Sequence, residues 1–340
     1  MNSRASLDFA GAHVIDALEI EQLPMLSCSK LMVDLIHDGL GRSLRLPVMV
    51  ARGKHAGPVF GLTAALHGNE INGIPVIHRF FNTLDLQSLR GTVVGVIVVN
   101  VPAFLNNERT FADRTDMNHI MPGKPDGNIA EIYAYRFLEQ IAKKFNYLID
   151  LHTASFGNIN SLYVRADMTD EVTAKMAYLQ RPQIILHGRA SDRTLRGAVM
   201  ELGIPAITLE MGDPQVFQPR HIKPALAGVR RVMSEVGMMP KRTVAPGPAP
   251  ALCAKSQWLY TDRGGLLTVL PKPTDWIKTG EVVAQQRDIF GEVVSEYVAP
   301  ADGVVIGKSV NPVTQTGGRI LHWGTVVEPG TPPFRDRTFS

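Results

Sequence analysis

Pro58-Val59-Phe60-Gly61-Leu62-Thr63-Ala64-Ala65-Leu66 runs without a charge into His67-Gly68-Asn69-Glu70. An apolar, partly β-branched run of this length, bounded by Gly and Pro, reads as a strand buried on both faces, which places it inside a sheet covered by helices on either side. The strand ends in an imidazole and a carboxylate three residues apart. At a strand's exit both side chains can turn to one point in space, so the segment that sets the fold also marks the candidate site.

Working outward, further strands of the same kind are expected at Thr92 to Val99, Tyr147 to Leu151, Gln183 to Leu186 and Pro205 to Leu209. Between them lie amphipathic patterns at Asn72 to Leu84, Ile129 to Phe145, Thr169 to Leu179, Arg193 to Leu202 and Ile222 to Val236. Strands alternating with helices predict an α/β fold, a largely parallel or mixed sheet flanked by helices. In such sheets ligands collect beyond the carboxyl ends of the strands, where His67, His152 and Glu210 all fall.

The catalytic region is expected over 1–240, with 1–45 as an N-terminal extension containing strands. Pro246-Gly247-Pro248-Ala249-Pro250 can hold neither a helix nor a central strand, so 241–252 reads as a linker. Beyond it only short strands interrupted by Gly and Pro are expected, such as Gly265 to Leu270, Glu281 to Ala284 and Gly303 to Ile306, and 253–340 is predicted to be a small all-β domain that shapes the entrance to the site.

Bulk properties are those of a globular protein: 340 residues, 45% hydrophobic and 20% charged, with a formal charge of +3. Scattered Lys and Arg give no support for nucleic-acid binding. Cys28 and Cys253 lie too far apart in sequence to form a cysteine metal cluster or a disulfide framework, and suit a reducing compartment. The N-terminus has no signal-peptide core and no run is long enough to cross a bilayer, so the expected location is cytoplasmic and no membrane partner is expected. Homo-oligomers are compatible with the sequence.

A His-x-x-Glu pair is common at helix starts, and Ile71 stands where a second His of the H-x-x-E-H pattern would be. A third ligand must therefore come from elsewhere, and His152, at the end of Leu148-Ile149-Asp150-Leu151, is the candidate. His67, Glu70 and His152 would hold one zinc per chain and leave the fourth position open for water, as catalytic rather than structural zinc does. Asp150 is placed to orient the His152 imidazole. Glu210, ending the apolar strand Ala206-Ile207-Thr208-Leu209, is the candidate general base. His78 and His187 read as structural histidines.

These motifs resemble those of the succinylglutamate desuccinylase/aspartoacylase family, a branch of the zinc carboxypeptidase superfamily. The resemblance rests on His67-Gly68-Asn69-Glu70, Asn100-Val101-Pro102-Ala103-Phe104 with Arg109, Asp116-Met117-Asn118-His119-Ile120-Met121-Pro122-Gly123, Asp150-Leu151-His152-Thr153 and Gly203 to Gly212. It implies a zinc-carboxypeptidase-like fold and Glu210 as the base, with Arg109 stabilising an oxyanion or holding a substrate carboxylate; Arg114 is a competing register for that arginine. It further implies that Asn118 and the residue after it anchor a substrate carboxylate. The family carries Arg where this chain has His119, so a bidentate planar cation is replaced by a group only partly charged near neutral pH. A substrate less anionic at that point is expected.

The reading is a zinc-dependent amidohydrolase that deacylates an N-acyl amino acid or a similar small molecule by zinc-activated water. A metallocarboxypeptidase acting on peptide C-termini shares this chemistry. A zinc-binding scaffold without turnover is the alternative outside enzymes, against which the presence of Glu210 argues. A single segment of the C-terminal region, Val298-Ala299-Pro300-Ala301-Asp302-Gly303-Val304-Val305, looks like the hairpin of a biotinyl or lipoyl domain, but lacks the lysine that would carry the cofactor.

Overall fold

The computed structural model describes residues 11–189, 193–241 and 247–327. At its centre four strands lie side by side and parallel, in the order Arg90–Val96, His55–Ala64, Tyr147–His152 and Ala206–Met211. Their carboxyl ends therefore open on one edge of the sheet. Successive side chains of a strand point to opposite faces, and here each face finds its own core. Val93, Ile149 and Ile207 pack with the helices Gly73–Asn82, Glu171–Gln180 and Pro219–Glu235, whereas Val94, Leu148 and Ala206 pack with Ile129–Gln140 and Leu195–Glu201.

The parallel core is flanked by antiparallel neighbours, Ser43–Arg52 on one side and Leu162–Ala166 on the other, and the sheet is thus mixed. Leu162–Ala166 is a strand that the apolar pattern did not announce, because Tyr163 and Arg165 alternate with apolar residues in a short run. The N-terminal hairpin of Ser27–His37 and Ser43–Arg52 crosses residue 45, the expected end of the extension. The last major helix begins at Pro219 rather than Ile222, since a proline is tolerated at the first helical position, where its missing N–H would have no partner.

The large sheet continues into the C-terminal region. Ala251–Tyr260 pairs parallel with Ile184–His187 and antiparallel with Arg319–Val326, which in turn pairs with Gly303–Ser309. Of the expected linker, 242–246 lies outside the described residues, 247–250 has no regular structure, and Ala251 and Leu252 already belong to the strand. Trp276–Ile277 joins the large sheet beside Gly303–Ser309, and the other C-terminal strands form a separate four-stranded antiparallel sheet. The expected hairpin at Val298 to Val305 is not one: Val293–Val298 belongs to the small sheet and Gly303–Ser309 to the large one. Val304, Val305 and Ile306 are all buried, so this strand needs sheet neighbours with apolar cover on both faces, and the segment crosses between sheets instead of folding back. Residues 1–10 and 328–340, parts of the expected extension and C-terminal domain, lie outside the described residues. Among the described residues no helix is long and apolar enough to cross a membrane.

Candidate metal centre and cavity

His67 follows the end of its strand by a tight turn in which the Glu70 N–H donates to the His67 carbonyl at 3.0 Å. Gly68 makes that turn feasible, because a Cβ there would stand 2.1 Å from backbone atoms of Ala103 and Phe104. Two buried asparagines fix the loop. Asn100 Nδ2 donates to the Leu66 carbonyl at 3.2 Å, and Asn72 Nδ2 donates to the Met211 carbonyl at 2.8 Å, tying the start of the first helix to the end of the strand that carries Glu210. Glu210 stands in register beside His152 on adjacent parallel strands.

His67, Glu70 and His152 thereby meet, each 3% exposed or less. His67 Nδ1 lies 2.9 Å from Glu70 Oε1 and His152 Nδ1 lies 3.0 Å from Glu70 Oε2. The far nitrogen of each ring faces another carboxylate: His67 Nε2 lies 3.1 Å from Asp116 Oδ1 and His152 Nε2 lies 2.7 Å from Asp150 Oδ2. Asp150 is itself held by the Thr63 hydroxyl, which donates at 2.6 Å. If each ring gives its Nε2 proton to its aspartate, two imidazole lone pairs and a carboxylate converge with ligand atoms within 4.8 Å of one another. Such a set repels itself unless a cation lies among it, and its donor types are those zinc prefers.

Arg109 approaches from the loop beyond the short helix Val101–Leu105. Its Nη1 donates to Glu70 Oε1 at 2.8 Å and to the Ser155 hydroxyl at 2.7 Å, and its Nε donates to Asp116 Oδ2 at 2.9 Å. The competing register is settled by position, as Arg114 is exposed and absent from the cavity wall. Asp116 thus orients both His67 and Arg109. It was not singled out in the sequence, where an aspartate in a polar loop gives no distinguishing signal.

Electrostatics follow the contacts. Burial pushes the Glu70 carboxyl up, but charge interaction with His67 and hydrogen bonds from both imidazoles outweigh it and hold it well below the usual carboxylate range. Burial of the His152 ring opposes its charge, yet Asp150 and Glu70 raise its pKa well above the ordinary value. Glu210 goes the other way. Its burial raises the carboxyl pKa despite the charge of His152 nearby, while Asn160 Nδ2 donates to Oε2 at 3.3 Å and Arg165 Nε lies 3.8 Å from Oε1.

These groups line a cavity of about 280 Å³. Asn118 and His119 line it as well. Asn118 Oδ1 accepts from the Leu195 N–H at 2.9 Å, which leaves Nδ2 as the donor of that side chain. His119 is 71% exposed, with Nε2 3.9 Å from Asp116 Oδ2. The wall also includes Tyr163, Arg165, Arg196, Trp258, Arg319 and His322, none of which the sequence reading selected. The alternation of Tyr163 and Arg165 was a usable signal; Trp258, Arg319 and His322 reach the cavity only through the pairing of distant strands. His78 and His187 are absent from the cavity wall.

A curated relative, the N-alpha-acetyl-L-2,4-diaminobutyric acid deacetylase of Halomonas elongata, is 22% identical over 299 residues, 84% of this chain and 87% of the relative. The product-bound structure of the ectoine utilization protein EutE (DoeB) from Ruegeria pomeroyi superposes with a TM-score of 0.80 at 21% identity, covering 89% of this chain and 97% of that one. A succinylglutamate desuccinylase structure from Silicibacter sp. gives a TM-score of 0.79 at 22% identity, covering 90% and 98%. Residues 56–236 match the succinylglutamate desuccinylase/aspartoacylase catalytic domain, and the chain belongs to that family.

Proposed function

We propose that the protein is a zinc-dependent deacylase of small N-acyl amino acids. The observation that carries this reading is the convergence of His67 Nδ1, His152 Nδ1 and the Glu70 carboxylate, each imidazole held from behind by an aspartate. These three residues would hold the zinc, which when bound would polarise a carbonyl and bring the pKa of water towards about 7. Asp116 and Asp150 fix the ring tautomers that leave Nδ1 free to ligate. Glu210, with its carboxyl pKa raised by burial, is suited to take a proton from water and deliver it to the departing amine. Arg109 presents a fixed guanidinium, partnered by Asp116, to a developing oxyanion or a substrate carboxylate.

Asn118 and His119 serve as substrate contacts, with His119 favouring a group less anionic than a guanidinium would. The cavity's size suits a small N-acyl amino acid, and the activity named for the Halomonas relative supports amide hydrolysis of that class. Location in the cytoplasm fits the same substrate class.

The test joins metal analysis to hydrolysis of a panel of N-acyl amino acids and short peptides. One zinc per chain with release of free amino acid from the N-acyl compounds is expected, and His67→Ala and His152→Ala should lose both metal and turnover. Stoichiometric zinc in both variants would show that the ligands are others. Zinc without turnover on any compound would leave only a binding scaffold.

A further inference from the structure

Asn160 reaches the cavity from a segment whose course the C-terminal region sets. Asn158–Asn160 runs antiparallel to Gly303–Ser309, with Asn160 opposite Gly307. The Ser161 N–H and hydroxyl donate to the Ile306 carbonyl at 2.9 and 3.0 Å, and the Val310 N–H donates to the Gly157 carbonyl at 2.8 Å. The chain then passes into Leu162–Ala166, where Tyr163 stands opposite Glu210. Asn160 is thereby held by sheet pairing on both sides. A Cβ at Gly307 would overlap Asn160 Oδ1 and stand 2.7 Å from the Ile159 carbonyl oxygen. The bare backbone at 307 lets the Asn160 amide lie close against this strand, and from there Nδ2 donates to Glu210 Oε2 at 3.3 Å.

Glu210 has need of such a partner. The last torsion of a glutamate side chain is broad, so rotamer preference leaves the plane of its carboxylate unset. Taking a proton from water requires one oxygen to face that water within about 2.6–3.2 Å. Arg165 constrains the group weakly: its Nε lies 3.8 Å from Oε1, beyond hydrogen-bond distance, while its Nε and Nη2 donate to the Tyr163 hydroxyl at 3.2 and 3.1 Å. Asn160 engages Oε2 and leaves Oε1 as the oxygen that can accept a proton. Its neutral amide does so without adding a charge beside the carboxylate.

We propose that Asn160, seated against Gly307, is a positioning residue that sets the plane of the Glu210 carboxylate for proton transfer. This rests on the deacylase reading and on the role given there to Glu210. Asn160→Ala and the near-isosteric Asn160→Leu both remove the donor. On a panel of N-acyl amino acids each should lower kcat about ten- to hundredfold, the range for losing a hydrogen bond to a charged group, with KM and zinc content nearly unchanged. In the Glu210→Gln background the same substitutions should cost less than about twofold, because the group they position is gone. Equal factors in both backgrounds would overturn the proposal. So would full kcat in Asn160→Leu, or a loss carried by KM, which would make Asn160 a substrate contact. Crystal structures of the wild type and Asn160→Ala decide the positioning apart from turnover, so failure of the wild type to hydrolyse any compound counts against the deacylase reading alone. A Glu210 carboxylate that turns out of its wild-type plane in Asn160→Ala sustains the proposal; one that keeps its plane and place removes it.

Discussion

Glu70 and Glu210 are both buried carboxylates within one cavity, yet their environments push them in opposite directions. Glu70 accepts from Arg109 and from the Thr153 N–H at 3.1 Å and faces two imidazoles, so its charged form is favoured. Glu210 has a long contact to Arg165 and one amide donor, and burial dominates. A pair split in this way suits the roles proposed for it, the ionised member facing a cation and the other transferring a proton. Because the folded pKa of Glu210 is raised, its basic form is lost as pH falls through a value above the ordinary glutamate pKa of about 4.3. The acid limb of kcat/KM is therefore expected above that value. Glu210→Gln should retain zinc and fold, lose turnover by about 10²–10⁴-fold, and show no limb from this group in its residual activity. Near wild-type kcat would take Glu210 out of the mechanism.

At the scale of elements, the site is made by strand ends and by the close approach of two turns. His152 and Glu210 come together because neighbouring parallel strands finish in register, and His67 arrives because the turn after its strand presses against the helix Val101–Leu105. Gly68→Ala should therefore disturb the position of His67 as well as the stability of the fold. Its Cβ would meet the backbone of Ala103 and Phe104, which cannot rotate away, and overpacking of this kind costs about 1–3 kcal/mol or more. A lowered thermal midpoint together with weakened zinc retention is expected. Gly39→Ala, where a Cβ would meet nothing within 4 Å, is the control. Unchanged zinc content and midpoint in Gly68→Ala would mean that the turn can open without moving His67. The elements carrying this geometry were mostly legible as apolar strands and amphipathic helices. Leu162–Ala166 was not, because its polar residues face a cavity whose existence depends on the completed sheet.

For the whole molecule, the continuous large sheet makes the C-terminal strands part of the catalytic body rather than an appended module. The loop after His152 contributes Asn158–Asn160 as a further strand paired with Gly303–Ser309, and the Asn160 side chain reaches Glu210. Trp258, Trp276 and Trp323 all lie in the C-terminal region, whereas among the described residues the α-helices all precede residue 240. Tryptophan fluorescence and helical ellipticity therefore report on different parts of one chain. Coincident unfolding curves in urea are expected from the shared sheet. A fluorescence transition at distinctly lower urea would show that the C-terminal strands form a separately unfolding unit.

By itself the sequence determined the alternation of strands and helices, and it singled out His67, Glu70, His152 and Glu210, side chains that the fold brings to one cavity. Burial on both faces writes itself into composition and period, and an ionisable residue closing an apolar strand stands out against it. The tertiary structure alone decided that Asp116 backs His67, that Arg109 rather than Arg114 faces the site, and that Trp258, Arg319 and His322 complete the wall. Each of those depends on contacts between segments far apart in the chain, where the local pattern of a polar loop or a half-exposed strand is the same whether or not a cavity lies beside it.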